Sequence, residues 1–302
     1  MLISIITPSL NRVQYVEDAI RSVLEQKYPD VEHIVVDGGS TDGTRESLIK
    51  YPHLRLSSEP DRGMYDAINK GLEKARGEVV GFLNTDDMYA PGCLEKVARE
   101  FEDKSIDAIA GKAVIVEQKP QGHREVILEI CPSEPGNLWD TIILGIPAFN
   151  AWFFRREAVR AAGGCNADYR IIADREFLIR FWMRNPIYHW TDRLFYIYRQ
   201  HPESFTINLT NSYRRQIVDE DLKMIQFFLR EPSTPAKAVG LLRQARTRDT
   251  LNITTYLLRK RNWSDARKYM ALGIRHDWIW PARLFFRGLS IASRRFQELA
   301  RK

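Results

Sequence analysis

The chain has 302 residues, 44% of them hydrophobic and 28% charged, which is enough apolar material to bury a full core and excludes a disordered segment. Its net charge of +6 averages two opposites: residues 1–150 hold 16 Lys+Arg against 25 Asp+Glu, and residues 151–302 hold 29 against 14. Three cysteines at unrelated spacings, Cys93, Cys131 and Cys165, exclude a disulfide framework and a cysteine zinc site, and point to reduced thiols in a cytoplasmic protein.

Met1 leads straight into an apolar strand without a basic leader, and no uncharged run is long enough to span a bilayer. The expectation is a protein neither exported through a signal peptide nor integral to a membrane. The basic half carries no nucleic-acid motif, so no nucleic-acid partner is expected.

Residues 2–7 read as a first buried strand, followed by Pro8, Ser9 and a helix over 11–26 with Val13, Val16, Ile20, Val23 and Leu24 on its apolar side. Residues 31–36 form the next strand. It runs into Asp37-Gly-Gly-Ser-Thr-Asp-Gly-Thr44, a loop that tolerates positive φ, offers backbone N–H groups and precedes a helix N-terminus favourable to an anion. Neither GxxxxGK[ST] nor GxGxxG is present, so ordinary ATPase and dinucleotide readings lose support. Residues 54–57 give a short third strand, and 59–71 a turn entering a helix that ends near Gly77. The apolar run 79–83 then stops at Asn84-Thr85-Asp86-Asp87, before Pro91 and Gly92 open a helix. An Asp-Asp pair alone reads first as a polar turn or a cap. At the carboxyl end of a core strand it is also where ligands bind in open α/β sheets, and two hard oxygen donors suit Mg²⁺ or Mn²⁺. Alternating strands and helices argue for a parallel, Rossmann-like sheet with Thr7, Asp37 and Asp86 at strand exits on one edge.

In the second half, Asp174 opens an amphipathic helix with Phe177, Leu178 and Phe181 facing inward, where a first-turn acid beside Arg175 is favourable on dipole grounds alone. Beyond residue 211 the pattern is helical: 218–229, a break at Pro232 and Pro235, 236–258, and 262–272 with a serine cap. Residues 251–302 carry 12 basic against 3 acidic side chains. There Trp278, Ile279, Trp280, Leu284, Phe285, Phe286, Leu289 and Phe296 interleave with Arg283, Arg287, Arg294 and Arg295. Two readings stay open: an interfacial helix making peripheral membrane contact through 278–302, or a packed helix with a solvated basic face.

Taken together, Ser4-Ile-Ile-Thr-Pro-Ser9, Val35-Val-Asp-Gly-Gly-Ser-Thr-Asp-Gly-Thr44, Glu59-Pro-Asp-Arg-Gly63 and Gly81-Phe-Leu-Asn-Thr-Asp-Asp87 resemble the successive signatures of family 2 glycosyltransferases with the GT-A fold. So do Asn150-Ala-Trp-Phe-Phe-Arg-Arg156, Ile172-Ala-Asp-Arg-Glu-Phe-Leu-Ile-Arg180 and Tyr198-Arg-Gln-His-Pro-Glu-Ser204, extending the resemblance over roughly residues 1–205. It implies a catalytic α/β domain over 1–210, with a mixed, mostly parallel sheet flanked by helices, and a basic helical extension over 211–302. It further implies inverting transfer of a sugar from a UDP- or GDP-sugar, with Mg²⁺ or Mn²⁺, to a saccharide or lipid-linked acceptor in bacterial surface or exopolysaccharide synthesis. The location implied is the cytoplasm, including the inner face of the cell membrane.

Residue by residue, the resemblance implies that Thr7 and Pro8 line the nucleotide pocket, Asp37 contacts base or ribose, and Asp61 and Arg62 lie near the base. Asp86 would sit near the ribose and donor sugar, Asp87 would ligate the metal, and His201 would reach back to metal or pyrophosphate. Arg199 would contact phosphate, and Asp174 falls on the catalytic carboxylate, with Glu176 as an alternative or helper. Thr-Asp-Asp departs from a literal Asp-x-Asp, which leaves the division between Asp86 and Asp87 open. Phe149-Asn150 stands where many relatives have His-Gln, which bears on the acceptor. Two alternatives remain: a sugar-phosphate nucleotidyltransferase, whose glycine-rich basic N-terminal loop is missing, and an inactive nucleotide-sugar-binding scaffold, against which the joint presence of Asp87 and Asp174 speaks.

Overall fold

Apolar runs of strand length in the first eighty residues pair as parallel strands, because the helices between them carry the chain back before each new strand begins. The computed structural model describes residues 1–118, 124–201 and 211–286, and the chain divides into two units, Met1–Asn208 and Leu209–Lys302. In the first unit β1 (Ile3–Ser9) is buried at every position and lies between β2 (Val31–Asp37) and β4 (Val79–Phe82), with β3 (Leu54–Ser58) outside β2, all parallel. The connections carry α1 (Val16–Leu24), α2 (Thr44–Ile49) and α3 (Met64–Lys74). Gly71 lets α3 lie on β1, since a Cβ there would meet Ile6 Cγ2 at 2.4 Å.

Past β4 the connectivity changes. β5 (Met88–Tyr89), α4 (Cys93–Glu100), β6 (Ala108–Gln118), β7 (Arg124–Ile130), α5 (Leu138–Leu144), β8 (Trp152–Arg155), α6 (Arg156–Ala161), α7 (Ala173–Trp182) and β9 (Tyr188–Gln200) follow in order. The sheet reads β3-β2-β1-β4-β8-β6-β9-β5, with β7 on β6. β8 is antiparallel to β4 and β6, while β6 and β9 run parallel over the longest register in the sheet. This is the mixed, mostly parallel GT-A arrangement. Its consequence lies in the pairing of β5 with β9: Met88 opposite Ile197 brings the carboxyl end of β9 beside Asp86 and Asp87. Phe82, Phe149, Phe154, Phe177 and Phe181 pack with ring centres 5.0 to 6.1 Å apart, Phe177 and Phe181 edge-on to Phe154, and fix α7 against the sheet.

Three local expectations are corrected. The first helix begins at Val16 rather than near residue 11, because Asn11 takes a left-handed φ of 53° and residues 11–13 bond to the loop after β2. Val13 and Leu24 accordingly face solvent. The third helix stops at Lys74.

In the second unit, α8 (Asn211–Arg230), α9 (Ala236–Arg259) and α10 (Trp263–His276) enclose a small core of Val218, Ile253, Leu257, Ala266 and Tyr269. The cap of α10 is Asn262, whose side chain accepts from the Asp265 N–H at 3.2 Å, so the expected serine cap is replaced. Residues 280–286 begin a further helix anchored by the fully buried Trp280, which donates to Thr250 Oγ1 at 2.9 Å. Arg287, Leu289, Arg294, Arg295 and Phe296 of the basic stretch, and Ser204, lie outside the described residues. No helix among the described residues is long and apolar enough to cross a membrane, and Cys93, Cys131 and Cys165 are free thiols.

Candidate active site

The exits of β1 and β2 are sewn together. Asn11 N–H donates to Ser40 Oγ at 2.8 Å, Thr41 N–H to Asn11 Oδ1 at 2.9 Å and Arg12 N–H to Thr44 Oγ1 at 2.8 Å. Asp37, fully buried, organises the same loop by accepting from the Gly39 and Ser40 N–H groups at 3.2 and 3.0 Å and from Ser58 Oγ at 2.7 Å. The N–H groups that the sequence offers to an anion at residues 39–41 are therefore committed within the loop, and α2 behind them has only six residues. Asp61 closes on this loop because residue 38 is glycine: a Cβ would meet Asp61 Oδ2 at 2.6 Å. Arg62 stands exposed and pairs with Asp66 at 3.0 Å.

Thr7 and Pro8 form the floor beneath these loops. Both are buried, and Thr7 Oγ1 lies 2.9 Å from Nε2 of His33, whose pKa burial pushes down to about 3, so the imidazole is neutral. The hydroxyl of Ser9 and Oε1 of Gln200, at the ends of β1 and β9, are buried with no partner among the described residues.

At the exit of β4 the two carboxylates have different neighbours. Asp87 is buried, and three donors converge on it: the Tyr196 hydroxyl at 2.9 Å, the Arg199 backbone N–H at 2.9 Å and Asn84 Nδ2 at 3.2 Å. Burial and the charge of Asp86 still push its pKa well above the ordinary carboxylate range. Asp86 keeps some exposure and faces His201 Nε2 at 2.9 Å. The structure thus pairs His201 with Asp86 rather than Asp87. Tyr15 lies against both His201, ring centres 4.7 Å apart, and the guanidinium of Arg199, at 5.1 Å, while Arg199 also donates to Asp18.

Asp174 occupies the first turn of α7, half-buried, with Oδ1 accepting from the Arg175 N–H at 2.8 Å, while the nearby Tyr65 hydroxyl donates to the Ile171 carbonyl at 3.0 Å. Burial raises the pKa of Asp174, against the opposing charge of Arg175. Glu176 is locked: Arg180 holds its two oxygens at 2.7 and 2.6 Å and donates onward to the Gly164 carbonyl at 2.8 Å. Burial first, then the charges of Asp87 and Asp174, raise the pKa of the Tyr198 hydroxyl, whose ring packs on Tyr196 with centres 4.6 Å apart. Asn84, Tyr65 and Tyr196 belong to the site although the sequence did not single them out. Tyr196 and Tyr198 share one face of β9, a period-two signal visible only once that strand is recognised.

The Glycosyl transferase family 2 description matches residues 4–163. Residues of this chain are 44% identical over 100 positions to the putative teichuronic acid biosynthesis glycosyltransferase TuaG of Bacillus subtilis, covering 32% of this chain and 40% of TuaG. The PGL/p-HBAD biosynthesis glycosyltransferase of Mycobacterium bovis is 32% identical over 190 residues, 59% of this chain and 69% of that protein. Among solved structures, S. aureus TarS 1–349 in complex with UDP superposes with TM-score 0.54 at 19% identity, over 91% of this chain and 89% of that one. The mannosyltransferase PcManGT from Pyrobaculum calidifontis, in complex with GDP-Man and Mn²⁺, gives 0.59 at 19% identity, over 96% and 80%. At these identities the structures establish the fold. The family match spans more than half of the residues and covers the strand exits just described; the chain belongs to glycosyl transferase family 2.

Proposed function

We propose that this protein transfers a sugar, with inversion, from a UDP- or GDP-sugar to a hydroxyl of a saccharide or lipid-linked acceptor in bacterial surface polysaccharide synthesis. The observation that carries this reading is the Asp86–Asp87 pair at the exit of β4, with Asp87 held by Tyr196, the Arg199 N–H and Asn84, in a chain whose residues 4–163 match the family. UDP with TarS and GDP-Man with PcManGT support the donor class, and the names of TuaG and the mycobacterial relative support a surface acceptor.

In this reading Asp174 accepts the proton of the acceptor hydroxyl as that oxygen attacks the anomeric carbon from the face opposite the diphosphate. The Arg175 N–H orients the carboxylate. The loops of Asp37 and Asp61, with Thr7, Pro8 and Arg62, enclose the nucleoside, and Arg199 lies toward phosphate. Among the described residues no three His, Cys, Asp or Glu side chains come together as a metal cage. Asp86 and His201 face each other as two donors with Asp87 behind them, and this suits Mg²⁺ or Mn²⁺, which bind through one or two carboxylates plus substrate phosphates. When bound, the cation supplies positive charge against the leaving diphosphate. The test is thermal stabilisation by UDP- and GDP-sugars with and without Mn²⁺, followed by assay of nucleoside diphosphate release. No stabilisation by any nucleotide sugar overturns the reading, and stabilisation without turnover favours the scaffold alternative.

The second unit supports a peripheral contact with an anionic leaflet. Trp278, Phe285 and Phe286 are 85%, 65% and 66% exposed in a stretch with 12 basic against 3 acidic side chains over 251–302. Each basic group near such a leaflet contributes about 1 kcal/mol, so several act together with the aromatics. Salt-sensitive binding to phosphatidylserine vesicles, lost on replacing Trp278, Phe285 and Phe286 with Ser, is the expected result. Binding indifferent to those residues removes the contact.

A further inference from the structure

The Tyr196 hydroxyl has one proton and two lone pairs. Two of its three neighbours are donors, the Asn84 backbone N–H at 3.1 Å and the Asn150 side-chain amide at 3.1 Å. With both lone pairs occupied, the proton has one acceptor left, Asp87 Oδ2 at 2.9 Å. Asn150 thereby makes Tyr196 an obligate donor to the carboxylate.

The backbone around Asn150 carries an independent sign of constraint. Ala148, two residues earlier, adopts a left-handed conformation with φ 45° and ψ 54°, which is strained for a non-glycine residue. A short 3-10 turn, Phe149–Ala151, follows, pinned on one side by Phe149 stacked on Phe82 at 5.0 Å and on the other by Trp152 Nε1 donating to the Pro147 carbonyl at 2.7 Å. Strain of this kind persists where the surroundings over-determine it, and here it directs the Asn150 side chain, 8% exposed, at Tyr196.

We propose that Asn150 is a positioning residue that fixes the donor direction of Tyr196 and through it the orientation of Asp87, so that the Asp86–Asp87 corner is set before a cation and diphosphate arrive. The inference rests on the proposed reading of that corner. Losing an outer hydrogen bond behind a metal-holding group typically costs 10- to 100-fold in metal affinity or activity.

The experiment is a double-mutant cycle on the full chain with Tyr196→Phe and Asn150→Leu, reading the Mn²⁺ concentration for half-maximal UDP binding by calorimetry together with kcat and KM. Each single change is expected to raise that concentration by about tenfold or more, and the double variant to be no worse than the poorer single. Effects that multiply overturn the proposal, as does wild-type cation dependence in either single. Tyr196→Phe removes one oxygen and leaves the ring packing, and Asn150→Ala, which adds no bulk, serves if Asn150→Leu melts early. Asp87→Asn is run alongside. If it too leaves Mn²⁺-dependent UDP binding unchanged, the reading of the corner has failed; if it alone removes that binding, only the positioning role has.

Discussion

Asp87 and Asp174 are both enclosed carboxylates with raised pKa values, yet their surroundings differ in kind. Asp87 receives three donors contributed by the β4–β5 turn and by β9, elements joined only through the sheet. Asp174 receives one backbone N–H from its own neighbour and keeps part of its surface open. A carboxylate surrounded by donors has a fixed direction, as a group holding a cation and diphosphate needs. One with an oxygen left accessible is suited to accept a proton from a substrate. The difference lies in the number and origin of donors rather than in residue type.

The sharpest way to break that comparison is Asp87→Asn. An amide accepts fewer of the three donors and supplies no charge, so transfer is expected to disappear and Mn²⁺-dependent UDP binding to weaken strongly. Turnover at the wild-type rate, measured as UDP or GDP release, removes Asp87 from the site.

Asp174→Asn is expected to leave donor binding intact and to lower transfer by roughly two to four orders of magnitude. The active form of a base is the ionised one, so kcat/KM of the wild type should rise with pH through the pKa of Asp174. Because burial raises that pKa, the acid limb should lie above the ordinary carboxylate range, and it should vanish from the residual rate of the variant. Linkage gives a second readout. A carboxyl whose folded pKa is raised contributes stability below its unfolded pKa that is lost as pH rises through the folded value. At neutral pH the ionised Asp174 therefore opposes folding, and Asp174→Asn should melt higher than wild type while nearly inactive. A lower Tm at neutral pH would make Asp174 a structural carboxylate.

The same contrast decides what could be read from the sequence. The strands of the first eighty residues are continuous apolar runs, and their exits carry Asp37 and the Asp86–Asp87 pair in plain view, so the parallel half and its carboxylates were legible. β6, β8 and β9 were not read as strands. β9 mixes Asp192, Arg193 and Arg199 with aromatics and is only partly covered, so no single period dominates it. Its pairing with β5 is a long-range event that nothing local to Tyr196 announces, and for that reason the donors to Asp87 escaped notice while Asp87 itself did not. Asp174 was placed by a family resemblance, since its local pattern is equally that of a first-turn acid. The left-handed Asn11, which shortens the first helix by a turn, was likewise hidden, because its cause is the loop after β2 rather than the helix sequence.

The smallest expected effect on chemistry belongs to Glu176, two residues from Asp174 on the same helix. Each of its oxygens is held by Arg180, the guanidinium in turn ties α7 to the carbonyls of Ala162 and Gly164, and the side chain is buried, so this acid is closed to a substrate proton. Glu176→Gln keeps one acceptor for Arg180 and loses the charge, which should lower stability by about 1–3 kcal/mol as a hydrogen-bonded charged pair becomes a weaker one. Transfer per folded molecule, normalised by the calorimetric binding stoichiometry for UDP, should match wild type, and its acid limb should stay where Asp174 puts it. If instead the limb moves or the normalised rate falls by orders of magnitude while Asp174→Asn remains active, the assignments exchange. Glu176 would then be the proton acceptor, and its pairing with Arg180 would have to open when the acceptor binds.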